Sequence, residues 1–184
     1  FFNNRREVVM KKIGLIEVYT GEGKGKTTAS IGLAIRAKAH NFKVCYISFH
    51  KNPSKFKYAE QNILKKLKID VFCFSKKHPF CDKIDFNDLR KDCLLALEFI
   101  REKIYPKGYD LLILDEINIS LRDGFLKEDE VISLLKDKPK NLEIVLTGRG
   151  CPSKIIELAD LVSEIKKIKH PFDKNIKAKR GIEF

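Results

Sequence analysis

The chain contains no tryptophan and a single methionine, Met10. It has no C-x-x-C pair, and none of its five cysteines stands at zinc-finger spacing from a histidine, which removes the common thiolate metal sites and the thioredoxin-type redox motif. An odd cysteine count without a secretory pattern points to reduced thiols and a cytoplasmic protein. Cys45, Cys73 and Cys93 lie in apolar segments and read as packing residues, whereas Cys81 and Cys151 adjoin loops. No apolar run approaches the roughly 20 residues that span a bilayer, so no membrane partner is expected. The opening stretch F-F-N-N-R-R-E-V-V lacks an apolar core followed by small residues and does not read as a signal peptide. Acidic side chains are the scarcer charge, 25 against 37 basic ones, for a net charge of +12. The lysines are dispersed, which describes a solvated surface better than a nucleic-acid track, and no aromatic-basic stacking platform is present. No nucleic-acid partner is therefore expected, with a nucleic-acid-stimulated ATPase kept as the competing reading of the charge.

The 184 residues suit one domain with a full core. That domain is expected to run over 10–184, with 1–9 an appendage before M-K-K-I-G-L-I-E-V-Y. Strand and helix patterns alternate along it. Strands are expected at Ile13–Thr20, Lys43–Phe49, Ile69–Phe74, Asp110–Asp115, Leu142–Thr147 and Leu161–Ile168. Helices are expected at Thr27–His40, Pro53–Lys68, Asn87–Ile104, Lys127–Lys136 and Ser153–Ala159. On the first helix, Ile31, Ala34, Ile35 and Lys38 share helical spacing, and Pro106 and Gly108 are expected to stop the third. The continuous apolar run D-L-L-I-L-D marks a strand covered on both faces, as in a parallel sheet. Ligands of such sheets bind beyond the carboxyl ends of the strands.

The loop after the first strand reads T-G-E-G-K-G-K-T-T, Thr20 to Thr28. Gly25-Lys26-Thr27 matches the end of the G-x-x-x-x-G-K-[ST] phosphate-loop pattern. Glycines let backbone N–H groups approach an anion, and the helix that follows contributes free donors and a favourable dipole. Gly21, Glu22, Gly23, Lys24, Gly25, Lys26, Thr27 and Thr28 are the candidate nucleotide-binding residues. Lys26 is assigned to phosphate oxygens, and the Thr27 hydroxyl to Mg²⁺ (or Mn²⁺). The first glycine is displaced by one place, from Thr20 to Gly21, and Lys24 adds a second cation. These features define an α/β, three-layer P-loop NTPase-like (RecA-like) fold with a mainly parallel sheet. Asp115 and Glu116, ending the apolar strand, are the expected acidic partners of the loop and candidate Mg²⁺ contacts, with Glu116 also a candidate base. In L-T-G-R-G-C-P, Arg149 is a planar cation placed either for phosphate or as a surface group in a turn.

Four separated blocks, T-G-E-G-K-G-K-T-T-A, L-I-L-D-E-I-N, T-G-R-G-C-P and K-H-P-F-D-K-N-I-K-A-K-R-G-I-E-F, resemble the phosphate-loop ATP:corrinoid adenosyltransferases from about Ile13 to Phe184. The displaced glycine at Gly21 is part of that resemblance. It implies an enzyme in which the Co(I) of a reduced corrinoid attacks the 5′ carbon of ATP and triphosphate leaves. Lys26, Thr27 and Glu116 then carry the catalytic assignments. It further implies a homodimer and a flavoprotein reductant. The chain departs from the family at S-F-H-K-N (Ser48–Asn52), where Q-F-I-K-G is usual, and at K-H-P-F-C (Lys77–Cys81), where G-F-T-W is usual and where Phe80 is the candidate for part of the aromatic role beneath the corrinoid. Asn175 and Lys179 replace the usual Gly and Gln. A corrinoid carrier that binds without transferring is the reading motivated by the missing tryptophan.

Overall fold

The computed structural model describes residues 13–51, 59–74 and 85–182. Among these residues six strands form one sheet: β1 (Ile16–Thr20), β2 (Val44–Ser48), β3 (Asp70–Cys73), β4 (Leu111–Asp115), β5 (Glu143–Thr147) and β6 (Leu161–Glu164). Their order is β3-β2-β4-β5-β1-β6, and every neighbouring pair is parallel. The helices are α1 (Lys26–Ala39), α2 (Ala59–Lys66), α3 (Phe86–Phe99), α4 (Ile117–Arg122), α5 (Glu128–Lys136) and α6 (Ser153–Leu158).

Strand alternation divides the interior into two cores. On β2, Val44 and Tyr46 face one way and Cys45 and Ile47 the other; on β4, Leu111 and Ile113 separate in the same manner from Leu112 and Leu114. The first set packs with Ala34 and Ala37 of α1 and Leu64 of α2. The second packs with Leu89, Cys93 and Leu97 of α3, Val131 and Leu134 of α5 and Ile155 of α6. Helices thus cover both faces, which is why β2 and β4 read as unbroken apolar runs.

Several boundaries move from their sequence positions. On α1 the buried face is Ser30, Ala34 and Ala37, whereas Ile35 is 44% exposed. Small side chains there let the helix lie close to the sheet, so size, not hydropathy, selects the face. The third helix turns into a π turn at Ile100–Ile104 and a 3₁₀ turn at Tyr105–Lys107. Pro106 has no N–H for the α ladder, and the Tyr105 N–H reaches back to the Ile100 carbonyl instead. Gly108 then ends the segment at φ 66°. Helix α4 has no sequence signal, because all of 117–121 is buried and leaves no polar face to set a period. β6 ends at Glu164, four residues before the expected Ile168, and all of it is exposed at the sheet edge. The expected helix from Pro53 begins, among the described residues, at Ala59; 52–58 lie outside them. Cys45 and Cys93 are buried as expected, and Cys73 is half-buried. No described helix is long and apolar enough to cross a membrane.

The chain just after β6 runs alongside the glycine loop, continuing the parallel pairing with β1. The Gly23 N–H donates to the Ile165 carbonyl at 2.7 Å. A Cβ on Gly21, which has φ +96°, would lie 2.6 Å from that same oxygen. The displaced glycine therefore answers to the segment following β6 as well as to the turn. Gly21→Ala is expected to cost about 2–4 kcal/mol, from left-handed backbone strain plus overpacking against main chain. Denaturant melts should register this as a lowered midpoint at unchanged slope; an unshifted midpoint would show that the segment after β6 simply moves aside.

Candidate functional site

The carboxyl ends of β1, β2, β4 and β5 open into a cavity of about 630 Å³. Its floor is the loop Gly23–Thr28; Lys51, Glu116 and Arg149 stand around it, and His170, Gly181 and Ile182 from the C-terminal segment close one side. Gly25, at φ 126°, turns the chain into α1, whose first residues are Lys26 and Thr27. The first-turn N–H groups thus face a space ringed by cations, the arrangement that attracts a polyphosphate.

Lys26 lies back on its own loop, donating to the Gly21 carbonyl at 2.7 Å and the Gly23 carbonyl at 2.6 Å. Burial, followed by repulsion from Arg149, lowers its pKa. Lys24 donates to the Ile182 carbonyl at 3.0 Å and so ties the tail to the loop. Glu22 points outward, pairing with Arg149 at 3.3 Å, and both are at least half exposed. Gly21 and Glu22 do not line the cavity, whereas the other loop residues assigned from sequence, Gly23 to Thr28, do, and so does Arg149. Phe80 lies outside the described residues.

Asp115 sits at the centre and is fully buried. Its Oδ1 accepts from Thr27 Oγ1 at 2.9 Å and Thr147 Oγ1 at 2.7 Å. Its Oδ2 accepts from Tyr46 OH at 2.6 Å and pairs with Lys51 Nζ at 2.8 Å. Burial alone would raise this carboxyl; Lys51 and the hydroxyl donors outweigh it and hold the pKa below the ordinary value. The register explains the convergence. Ser48 on β2, three residues before Lys51, is level with Asp115, and Thr147 ends the strand between β4 and β1.

Glu116 follows in the left-handed region at φ 66°, a turn that sends the chain from β4 into α4 and the carboxyl into the cavity. Its N–H donates to Thr147 Oγ1 at 3.0 Å. Burial, with Asp115 adding to it and Lys51, Lys26 and Arg149 opposing it, raises its pKa to about 7. A carboxyl raised in the folded state stabilises the fold fully below its ordinary value near 4.5, and that contribution is lost as pH rises through about 7. Glu116→Gln, which cannot ionise, should therefore melt higher than the parent at pH 8, by at most about 3 kcal/mol, with the gap closing toward pH 4.5. Equal gaps at both pH values would refute the shift.

Lys51, Tyr46 and Thr147 were not among the residues assigned from sequence. Lys51 belongs to S-F-H-K-N, a segment noticed for its departures, yet its lysine stands where the usual Q-F-I-K-G also has one. Thr147 begins the T-G-R-G-C-P block. Tyr46 gives no signal, since a tyrosine inside an apolar strand reads as core. The donors around the Lys51 ammonium, Thr27 Oγ1, Asp115 and Glu116, are all hard oxygens, a set that suits Mg²⁺. Asp115 already has its four lone-pair positions engaged, so direct ligation would require Lys51 to leave.

A parallel sheet covered on both faces, a G-K-T loop entering a helix and a carboxylate strand separated from it by one further strand define a P-loop NTPase-like nucleotide-binding protein. Among solved structures, the flagellar accessory protein FlaH from Methanocaldococcus jannaschii has a TM-score of 0.50 at 16% identity, covering 83% of this chain and 71% of that one, a likeness of fold alone. Within that class the chain belongs to the family ATP:corrinoid adenosyltransferase BtuR/CobO/CobP, which it matches over residues 12–184. It is 38% identical to a corrinoid adenosyltransferase of Sinorhizobium sp over 93% of this chain and 80% of that one. It is 33% identical to those of Escherichia coli K12 and Salmonella typhimurium, over 93% of this chain and 86% of each. The family defines the enzyme's activity, transfer of an adenosyl group from ATP to a corrinoid.

Proposed function

We propose that ATP binds with its triphosphate over Gly23–Thr28 and its ribose turned outward to the corrinoid, so that triphosphate departs whole. The observation that carries this reading is the cluster of cations, Lys24, Lys26, Lys51 and Arg149, around a cavity large enough for a nucleotide. The cobalt of the reduced corrinoid supplies an electron pair to the 5′ carbon, forming the Co–C bond as the C5′–O5′ bond breaks. The bonding pair leaves with the triphosphate oxygen, and Co(I) becomes Co(III). No protein nucleophile is required, because the corrinoid substrate supplies it. The protein's part is to fix the 5′ carbon in line and to neutralise the charge growing on the leaving group.

Lys26 takes the phosphate charge after exchanging its loop carbonyls for phosphate oxygens. Arg149, half exposed and paired with Glu22 at 3.3 Å, swings to the same anion. Thr27 Oγ1, with Asp115 and Glu116, would hold Mg²⁺ (or Mn²⁺), whose role when bound is to neutralise the triphosphate. Asp115 and Thr147 keep the Thr27 hydroxyl oriented through a hydrogen-bonded chain. The resemblance to the family supports a homodimer, a flavoprotein as electron donor and action in the cytoplasm. Incubation with ATP, Mg²⁺ and chemically reduced cobalamin should yield a light-sensitive adenosylcorrinoid and one triphosphate per turnover. Phosphate or diphosphate release without that product would sink the reading.

A further inference from the structure

The Lys51 ammonium occupies the point where the site's oxygen donors meet: 2.8 Å from Asp115 Oδ2, 3.0 Å from Thr27 Oγ1 and 4.0 Å from Glu116 Oε1. Its main chain is pinned on both sides. The Lys51 N–H donates to Ser48 Oγ at 3.2 Å, and the Cys73 thiol donates to the Lys51 carbonyl. Only the flexible side chain is left to move, and it borders the phosphate cavity. Burial would lower the pKa of such an ammonium, but attraction to Asp115 and Glu116 raises it instead.

A Mg²⁺ ion bound to these oxygens would stand about 2.0–2.1 Å from them. An ammonium 2.8 Å from Asp115 and 3.0 Å from Thr27 lies in the same small volume, and two cations cannot share it. Resting on the reading that a metal–triphosphate binds here, we propose that Lys51 is a resident counter-cation. It holds the divalent-cation position of the nucleotide-free site, and it moves onto the phosphates when metal and triphosphate enter together. The device has two consequences. Asp115 and Glu116 never face each other uncompensated, and free divalent cation is refused until a polyanion draws the lysine away. Lys51 is thus a positioning residue whose second station is the leaving group.

The test uses nucleotide-free full-length protein. Mn²⁺ binding is followed by electron paramagnetic resonance of the free ion for the parent, Lys51→Met and Lys51→Arg. The methionine variant should bind Mn²⁺ about tenfold more tightly or better, since a fixed positive charge is gone from among the ligands. The arginine variant should stay as weak as the parent. In thermal melts Lys51→Met should fall below the parent in chelator and recover with millimolar Mg²⁺, while the parent is unmoved. No gain in Mn²⁺ affinity together with no Mg²⁺ rescue would reduce Lys51 to a structural ion pair. If the methionine variant does not fold, crystals of the parent with Mg²⁺ and inorganic triphosphate decide. The cation should sit at Asp115 with Lys51 Nζ beyond 4 Å; Lys51 still paired to Asp115 beside bound triphosphate would overturn the proposal. Failure of the parent to bind triphosphate at all would count against the proposed function, while the nucleotide-free Mn²⁺ comparison still judges Lys51.

Discussion

Lys26→Ala should lower adenosyl transfer by roughly 10²–10³-fold, the loss expected when one fixed donor to a developing anion is removed. The effect should fall mainly on turnover, because charge on triphosphate grows as the C5′–O5′ bond breaks, although weaker ATP binding will accompany it. The fold should survive. Lys26 is half-buried and bonds to carbonyls of its own loop, Gly21 and Gly23, and not across the core. Transfer, ATP affinity and corrinoid affinity measured side by side make the result decisive. An enzyme loses transfer and keeps corrinoid binding; a variant that retains transfer within tenfold would remove Lys26 from the mechanism. A mere carrier would give no transfer in the parent either.

The largest effect on stability is expected at Asp115. Asp115→Ala leaves the Lys51 ammonium buried without its nearest anion and strips the acceptor from Tyr46, Thr27 and Thr147 together. Breaking a buried pair from one side costs about 3–5 kcal/mol, because the surviving charge has no compensation. Urea melts at pH 7 check the magnitude. Adding Lys51→Met to Asp115→Ala should restore a substantial part of the loss, and the double-mutant cycle should give a coupling above about 1 kcal/mol. Additive losses would mean that Lys51 finds Glu116 or water instead. The sign of the pH dependence also follows. Asp115 is depressed below its ordinary value of 3.8, so the stability it contributes is present above that value and disappears as acid drives pH through the lower, folded value. Glu116 runs the opposite way, losing its contribution as pH rises toward and through about 7. The two adjacent carboxyls divide because Asp115 has four donors, while burial beside Asp115's charge pushes Glu116 upward. Asp115 is thereby the fixed anion of the site and Glu116 the group able to exchange a proton near neutrality.

Local chemistry was legible in the amino-acid sequence because it is written in contiguous residues. A glycine turn followed by Lys26 and Thr27, an apolar run ending in Asp115 and Glu116, and the order of strands and helices each depend on neighbours a few positions apart. The parallel sheet covered on both faces follows from the same runs. Short-range reading failed where packing overrides pattern. Ile35 turned outward because small residues had to meet the sheet, and α4 went unseen because burial on every side erases periodicity.

What the tertiary structure alone decided is which distant residues share the site. Strand order inserts β5 between β1 and β4, and so brings Thr147 onto Asp115 across 32 positions. Pairing of β2 with β4 delivers Tyr46 and Lys51 to the same carboxylate, and the residues just after β6 lie against Gly21 and Gly23. The sequence by itself pointed to the loop as the phosphate site, since that reading requires only backbone N–H groups, a lysine and a helix start. Whether the neighbouring anion stands open or already carries a cation depends on side chains meeting across the sheet, and only the fold places Lys51 against Asp115.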